Sequence, residues 1–434
     1  MSLLDRINNA TMDYSHAPVP DMARKAGWRI FGVWFVSLVN IPFLIMGVSF
    51  GRQMNFNDAL TAIVIGEITL ALLLATAAYI GGKSNLPSGM LRRVTFGGYG
   101  GLMVNIVVAF TLMGWYGVQT EVFGQSARVL LLDLFDMDIP LWMCILLGGA
   151  LMSTTAIIGF KAIDVFSQLA MPVLLVMVAL PAVWIWIDLD PAVIAARATT
   201  LPVFTAISMV IGGSISAALV APDLTRYAKN GKSAIHATWT CVLFASVGIF
   251  VSAMVLTYAS DGSDFIGIMN DLGYGPMMLA LLIVATWTTN DTNAYVSSLS
   301  LSAIFRKTKK WILAACVGAF GTLFAMIGIL DNLTPWLSFL GILIAPATAV
   351  FIVDYFRTPG LYMRAHLSEV PAYRFRTLLP WAAGTVLGFI TTPVSSYGFG
   401  LLTVTTVPAI DGFILATIFY AGFAAGQNYC ERLK

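Results

Sequence analysis

The chain has 434 residues, of which 58% are hydrophobic and only 11% are charged, and its mean hydropathy is +0.84. A soluble protein carries about a quarter of its residues as charged groups, so a water-facing globule is excluded and the missing polar surface has to meet lipid. The net charge of +2 gives no basis for a nucleic-acid partner.

Met1–Gly27 is polar and mixed in charge, without the short apolar run and small-residue cleavage site of a signal peptide. The first apolar segment is therefore expected to stay in the mature protein. About 20 mainly apolar residues cross the hydrocarbon core. By that measure spans 1 to 5 are expected at Trp28–Phe50, Ala59–Ile80, Tyr99–Phe123, Pro140–Ile158 and Ile163–Ile187. Spans 6 to 10 follow at Thr205–Tyr227, Ser233–Tyr258, Pro276–Leu299, Trp311–Leu330 and Thr334–Tyr355, and spans 11 and 12 at Leu378–Ile390 and Val407–Ala425. The fold class is thus an all-α membrane protein of about twelve transmembrane helices. Placing both termini on the cytoplasmic side of the cell (inner) membrane puts 21 of the 24 Lys and Arg in cytoplasmic segments, leaving only Arg52, Arg128 and Arg197 outside. That asymmetry is the one expected of cytoplasmic loops. Cys144, Cys241, Cys316 and Cys430 show no metal or disulfide spacing, and the loops are too short to hold a further domain. The whole of 1–434 is one membrane domain whose function lies within the bundle.

Two spans carry helix-breaking chemistry at mid-depth. In span 1 it is Asn40-Ile41-Pro42, where a proline removes a backbone donor. In span 6 it is Gly212-Gly213-Ser214-Ile215-Ser216. Either site alone is also explained by a kink or close helix packing. Spans 1 and 6 are, however, equivalent positions if spans 1–5 (residues 28–187) and 6–10 (residues 205–355) form two repeats, and five spans per repeat force an inverted topology. Paired broken helices at equivalent positions point to a transporter's central site. Spans 11 and 12 (residues 378–425) lie outside the repeats.

Polar residues at depth supply the chemistry. In span 3, Trp115 and Gln119 of Gly114-Trp115-Tyr116-Gly117-Val118-Gln119 share a helix face. A flat indole and an amide suit a planar, hydrogen-bonding heterocycle, although a packing Trp beside an interhelical hydrogen bond gives the same pattern. Span 8 carries Ala285-Thr286-Trp287-Thr288-Thr289-Asn290-Asp291-Thr292-Asn293. So dense a polar run needs a cavity or polar partners, and the hydroxyls of Thr288 and Thr289 with carbonyls of a broken helix are neutral oxygen ligands for a monovalent cation. Threonines in helices also bond back to the preceding turn. Glu67, Glu121 and Asp291 are the ionisable residues at depth, which keeps proton coupling open as an alternative. The sequence has no repeated pore loop of a channel and no acid–base or metal cluster of an intramembrane enzyme.

These residues carry a resemblance. The chain resembles the nucleobase:cation symporter-1 family, most closely its cytosine permease branch, over nearly its whole length. The matching stretches are Gly114–Val118, Gly213-Ser214-Ile215-Ser216-Ala217 with Asp223 and Arg226, Trp287–Asp291, and Trp336–Leu340 with Asp354-Tyr355. A weaker match covers Ala17–Pro20 and Ala23–Lys25. The resemblance implies a LeuT-type fold of two inverted five-span repeats plus two helices. It also implies import of a nucleobase-like heterocycle, such as a pyrimidine or hydantoin, coupled to sodium. It places Trp115 as the stacking platform, Gln119 as a hydrogen-bonding partner, and the backbone at Gly212 and Gly213 against the substrate edge. Ser214 stands where relatives carry an aromatic ring, Leu112 where cytosine permeases carry an amide, and Ala294 where hydantoin-type relatives carry an Asn. Asn290 is the nearby amide assigned to the substrate. The implied sodium ligands are carbonyls of Val36, Val39 and Ala285 with the hydroxyls of Thr288 and Thr289. The expected partners are a small-molecule substrate and the lipid bilayer; no other cofactor is implied.

Overall fold

The structure is a computed structural model that describes residues 13–39, 41–195, 197–260, 268–269, 271–273, 275–363, 370–394 and 397–432. Arg6, Arg364 and Lys434 of the basic count, and Asn40 of the expected break, lie outside these residues.

A helix stands at each expected span, and no strand is formed among the described residues. Span 1 comprises two helices, Gly27–Leu38 and Ile41–Gln53, bent by 60°. A proline at position 42 has no N–H to give the carbonyl of residue 38, and the first helix ends at Leu38. The next four spans are Phe56–Ser84, Gly98–Phe135, Leu141–Ile158 and Phe160–Asp188, the last carrying Pro172 and Pro181 inside it. Span 6 is Val203–Thr225, and span 7 runs from Gly231 to Leu256 with a π-helical stretch at Cys241–Ser246. Spans 8 to 12 are Gly275–Ile304, Lys310–Met326, Leu333–Arg357, Phe375–Thr391 and Pro408–Arg432. By length and composition seven of the helices are sufficient to cross a membrane, or up to eight with the bent pair counted as one. Spans 9 and 12 are shorter apolar helices.

The expected break in span 6 is absent. The helix runs unbroken from Val203 to Thr225, and neither Gly212 nor Gly213 has a positive φ. Glycine permits a break but does not compel one, whereas proline removes the hydrogen bond outright. In an apolar interior the backbone keeps every intrahelical bond it can.

The packing repeats itself under a shift of five spans. Span 2 packs on span 6, and span 7 on span 1; span 5 packs on span 1, and span 10 on span 6. Span 4 packs on span 8, and span 9 on span 3, while spans 3 and 8 pack on each other, as do spans 4 and 9. Spans 11 and 12 pack on each other and on span 10, outside this pattern. Large exposed side chains such as Leu147, Leu169, Val176 and Phe244 face outward, as a bundle immersed in lipid requires.

The face on which span 1 begins is closed by the N-terminal segment. Lys25 bridges to Ala228, with its N–H 2.6 Å from the Tyr227 carbonyl. Asp13 pairs with Lys310 at 3.0 Å and accepts from the Tyr227 hydroxyl. Arg226, fully buried, donates to the Asp13 and Tyr14 carbonyls and to the Tyr295 hydroxyl. Burial pushes the Asp13 carboxyl up, but Lys310, Arg226 and Tyr227 together more than reverse this and hold it below the usual carboxylate value.

Candidate functional site

The first helix of span 1 ends at Leu38 with Val39 as its cap, so its final carbonyls lose their intrahelical donors. One of them, Val36 O, lies 3.5 Å from the Thr289 hydroxyl of span 8. One residue further on, the Ser37 hydroxyl meets that of Thr292 at 3.1 Å while donating to the Val33 carbonyl at 2.8 Å. The break thus sets a row of oxygens against the polar face of span 8.

Beside this row lies a cavity of about 110 Å³. A water needs about 10–15 Å³ on this measure, so there is room for a compact ring. Spans 1, 3, 6, 8 and 10 line it, with Trp34 and Ser37, Trp115 and Gln119, Gly213 and Ser214, Thr289 and Asn293, and Ile344 among the contributors. Trp115 and Gln119, one turn apart, both reach the cavity, as their spacing predicts. Gln119 is buried, and its Oε1 has no hydrogen-bond partner. None of the described lining residues carries a charge.

The other expected residues divide. Gly213 and Ser214 line the cavity, and a Cβ on Gly213 would come within 3.0 Å of Met46 Cε, so span 6 lies close to the second helix of span 1 there. Gly212 is not a lining residue, and a Cβ there would meet nothing within 4 Å. Asn290 is turned away: its amide donates to the Tyr116 carbonyl and the Thr120 hydroxyl, both at 3.0 Å, fastening span 8 to span 3. The amide that reaches the cavity is Asn293, whose Nδ2 donates to Asn290 Oδ1 at 3.2 Å. Of the cation set, Val36 and Thr289 meet. The Thr288 hydroxyl bonds back to Val284 and Ala285 carbonyls at 3.1 and 3.0 Å, and Val39 and Ala285 are buried nearby in the chain. Ala294 is buried in a second apolar cluster with Tyr116 and Met152.

The three ionisable residues at depth all lie off the cavity lining. Glu67 accepts from Ser246 of the π-helical stretch at 2.7 Å, and Glu121 accepts from the Leu330 N–H at 3.0 Å. Asp291 accepts from the Thr155 hydroxyl, to which Trp287 Nε1 also donates at 3.2 Å. Sequence reasoning missed Trp34, Ser37, Thr111 and Thr292. The signal for the first two was their place in the last turn and a half before the break, where a helix face is committed to the site.

Toward the face on which span 1 begins, the lining includes Val220, Leu224 and Val296. Beyond these the short helix Ser88–Phe96 inserts Arg92, fully buried. Arg92 donates to Asn105 Oδ1 at 2.6 Å, to the Leu219 carbonyl at 3.1 Å and to the Ser300 hydroxyl at 2.8 Å, tying spans 3, 6 and 8. Burial draws its guanidinium down to about 10, with Asp223 acting the other way. Asp223 accepts from the Ser88 N–H at 2.9 Å and from its hydroxyl.

Residues 18–415 match the model of a family described as permease for cytosine/purines, uracil, thiamine, allantoin. The chain belongs to this permease family. Among its relatives, the cytosine permease of Escherichia coli (strain K12) is 26% identical over 385 residues, covering 87% of this chain and 88% of that one. The allantoin permease of Bacillus subtilis (strain 168) is 23% identical, covering 93% and 91%. Among solved structures, Mhp1, a nucleobase-cation-symport-1 family transporter closed with bromovinylhydantoin bound, superposes with a TM-score of 0.78 at 18% identity, over 94% of each chain. A substrate-bound, outward-open Na⁺-coupled sialic acid symporter gives 0.67 at 13% identity, over 96% of this chain and 94% of that one. The expected LeuT-type fold therefore stands. This permease-family chain is a multi-pass membrane transporter, and its relatives are permeases rather than enzymes.

Proposed function

We propose that the protein is a symporter that imports a neutral, planar nitrogen heterocycle of nucleobase or hydantoin type, coupled to sodium. One observation carries this reading: Trp115 and Gln119 face an uncharged cavity beside the broken helix of span 1. An indole face and an amide recognise a flat ring bearing N–H and C=O groups. A cavity without charge in a lipid-embedded bundle disfavours carboxylate or ammonium ligands, whose burial needs a partner. The family description and the names of the relatives, cytosine and allantoin permeases, support the same substrate class.

Support for the cation comes from the pair Val36 O and Thr289 Oγ1. At 3.5 Å it is long for a hydroxyl hydrogen bond, and close to the edge between adjacent oxygens bonded to one cation at about 2.3–2.6 Å. The proposed ligands are the carbonyls of Val36, Val39 and Ala285 with the hydroxyls of Thr288 and Thr289, of which Val36 and Thr289 meet. Coupling follows if both ligands favour the same closed state, which links their free energies. Proton coupling is the second reading, and the buried Asp291, whose Oδ2 has no partner, speaks for it. The five-span pairing supports residues 28–187 and 205–355 as the inverted repeats, with 378–425 peripheral. The distribution of Lys and Arg supports an inner-membrane location with both termini cytoplasmic.

The test is uptake by purified protein in liposomes, using radiolabelled uracil, cytosine, hydantoin and allantoin under an inward sodium gradient or a pH gradient alone. Sodium-driven accumulation of one of these supports the proposal. Accumulation that follows the pH gradient and ignores sodium selects the proton reading, and failure of all four rings overturns the substrate class.

A further inference from the structure

Two polar atoms among the described lining residues are buried without a partner: Gln119 Oε1 and Trp34 Nε1. Gln119 is accounted for by the site above; Trp34 is not. It lies on the first helix of span 1, one turn before Leu38, is 3% exposed, and lines the cavity. Buried indoles find an acceptor as a rule. Trp287 and Trp381 do so here, donating to Thr155 at 3.2 Å and to the Leu343 carbonyl at 3.0 Å. The hydroxyls of the same stretch are committed elsewhere, Ser37 to the Val33 carbonyl and Thr111 to the Val107 carbonyl, each at 2.8 Å. Trp336 Nε1 shares the condition of Trp34 but lies outside the lining. Among the fully buried polar side-chain atoms of the described lining, one donor and one acceptor are therefore unpaired, and no lining residue is charged.

We propose that Trp34 is a substrate-recognition residue: its indole N–H pairs with a carbonyl oxygen of the ring, while Gln119 Oε1 takes a ring N–H. The substrate class narrows to neutral cyclic amides or imides that offer an acceptor and a donor together. This inference rests on the heterocycle reading of the cavity and adds a residue and a chemical requirement to it. A fold that leaves a buried N–H unpaired is less stable than one in which the group is absent, and it regains that loss only when the ligand arrives.

Trp34→Phe keeps an aromatic ring, though a smaller one, and deletes the donor; the lost volume acts on all the ligands alike. Binding of uracil and hydantoin, and of 2,4-dithiouracil and 2,4-dithiohydantoin, is measured by isothermal calorimetry on the wild type and the variant. Sulfur for oxygen keeps the ring N–H groups and weakens the acceptors, so the four affinities in each series form a cycle that isolates the Trp34–carbonyl term. The expected result is a loss of about three- to tenfold for the oxygen compounds in Trp34→Phe and little change for the sulfur compounds. An oxygen-over-sulfur preference that survives in Trp34→Phe overturns the assignment. A wild type that binds none of the four compounds removes the heterocycle reading itself, a failure distinct from an intact preference in the variant.

Discussion

At the scale of single residues, the neighbouring amides of span 8 have opposite duties. Asn290 bonds to span 3 on its buried side, and Asn293 stands in the cavity. Asn290→Ala leaves the Thr120 hydroxyl without a donor and the Tyr116 carbonyl still paired with the Thr120 hydroxyl at 2.7 Å, at a cost of about 1–3 kcal/mol. It is expected to lower the melting temperature and, since Asn290 Oδ1 holds the Asn293 amide at 3.2 Å, to weaken substrate affinity less than Asn293→Ala does. Asn293→Ala is expected to show the opposite balance, and a thermal melt beside a binding isotherm separates the two. Trp115→Ala removes the aromatic platform and should abolish uptake. Thr289→Ala should raise the sodium concentration needed for half-maximal uptake, and sodium dependence unchanged in that variant would displace the cation site. Nothing in the local pattern tells Asn290 from Asn293. They are three residues apart, both flanked by polar neighbours, and which one turns inward depends on the rotation of span 8 against span 3. Trp115 and Gln119 were legible because a spacing of four fixes a shared face whatever the rotation.

At the scale of helices, legibility followed the strength of the local chemistry. Span positions could be read because an apolar run of membrane length admits one conformation in lipid. The end of the first helix at Leu38 could be read because a proline four residues later denies its carbonyl a donor, although span 5 takes the same loss at Pro172 and Pro181 without a break. The glycine pair of span 6 allowed a break that the packed helix does not take. The same small residue is decisive where helices cross closely. A Cβ on Gly114 would lie 2.2 Å from Trp336 Cζ2, so span 10 rests directly against span 3 beside Trp115. Gly114→Ala should push the indole away at a cost of about 1–3 kcal/mol, as overpacking does. It is expected to weaken substrate binding along with stability, since the displaced helix borders the site. A variant with wild-type melting and affinity would show that Trp336 yields freely.

At the scale of the molecule, the N-terminal segment fastens one end of span 6 to the start of span 9 through Asp13, Arg226 and Lys310. The Asp13 carboxyl sits below the usual carboxylate value because Lys310, Arg226 and Tyr227 outweigh the effect of burial. A depressed carboxylate adds stability that is complete above the unfolded value and disappears as pH falls through the folded one. The advantage of the wild type over Asp13→Asn in a thermal melt should therefore be constant above about pH 5 and shrink once pH falls below about 4. An advantage that grows on acidification would contradict the pairing. None of this closure was visible in the sequence, because Asp13, Arg226 and Lys310 are brought together only by the fold.

Span 3 is longer than its task. Its 38 residues, Gly98–Phe135, extend about 57 Å at 1.5 Å per residue, against a hydrocarbon core of about 30 Å. The helix is thus longer than the hydrocarbon core is thick, and beyond the cavity it carries the Arg128–Asp138 pair at 2.9 Å. A rod of that length, anchored beside the cavity, is a natural surveyor's staff. A spin label near Asp133 would report how far other helices travel during a transport cycle, measured from a mark that shares the backbone of Trp115.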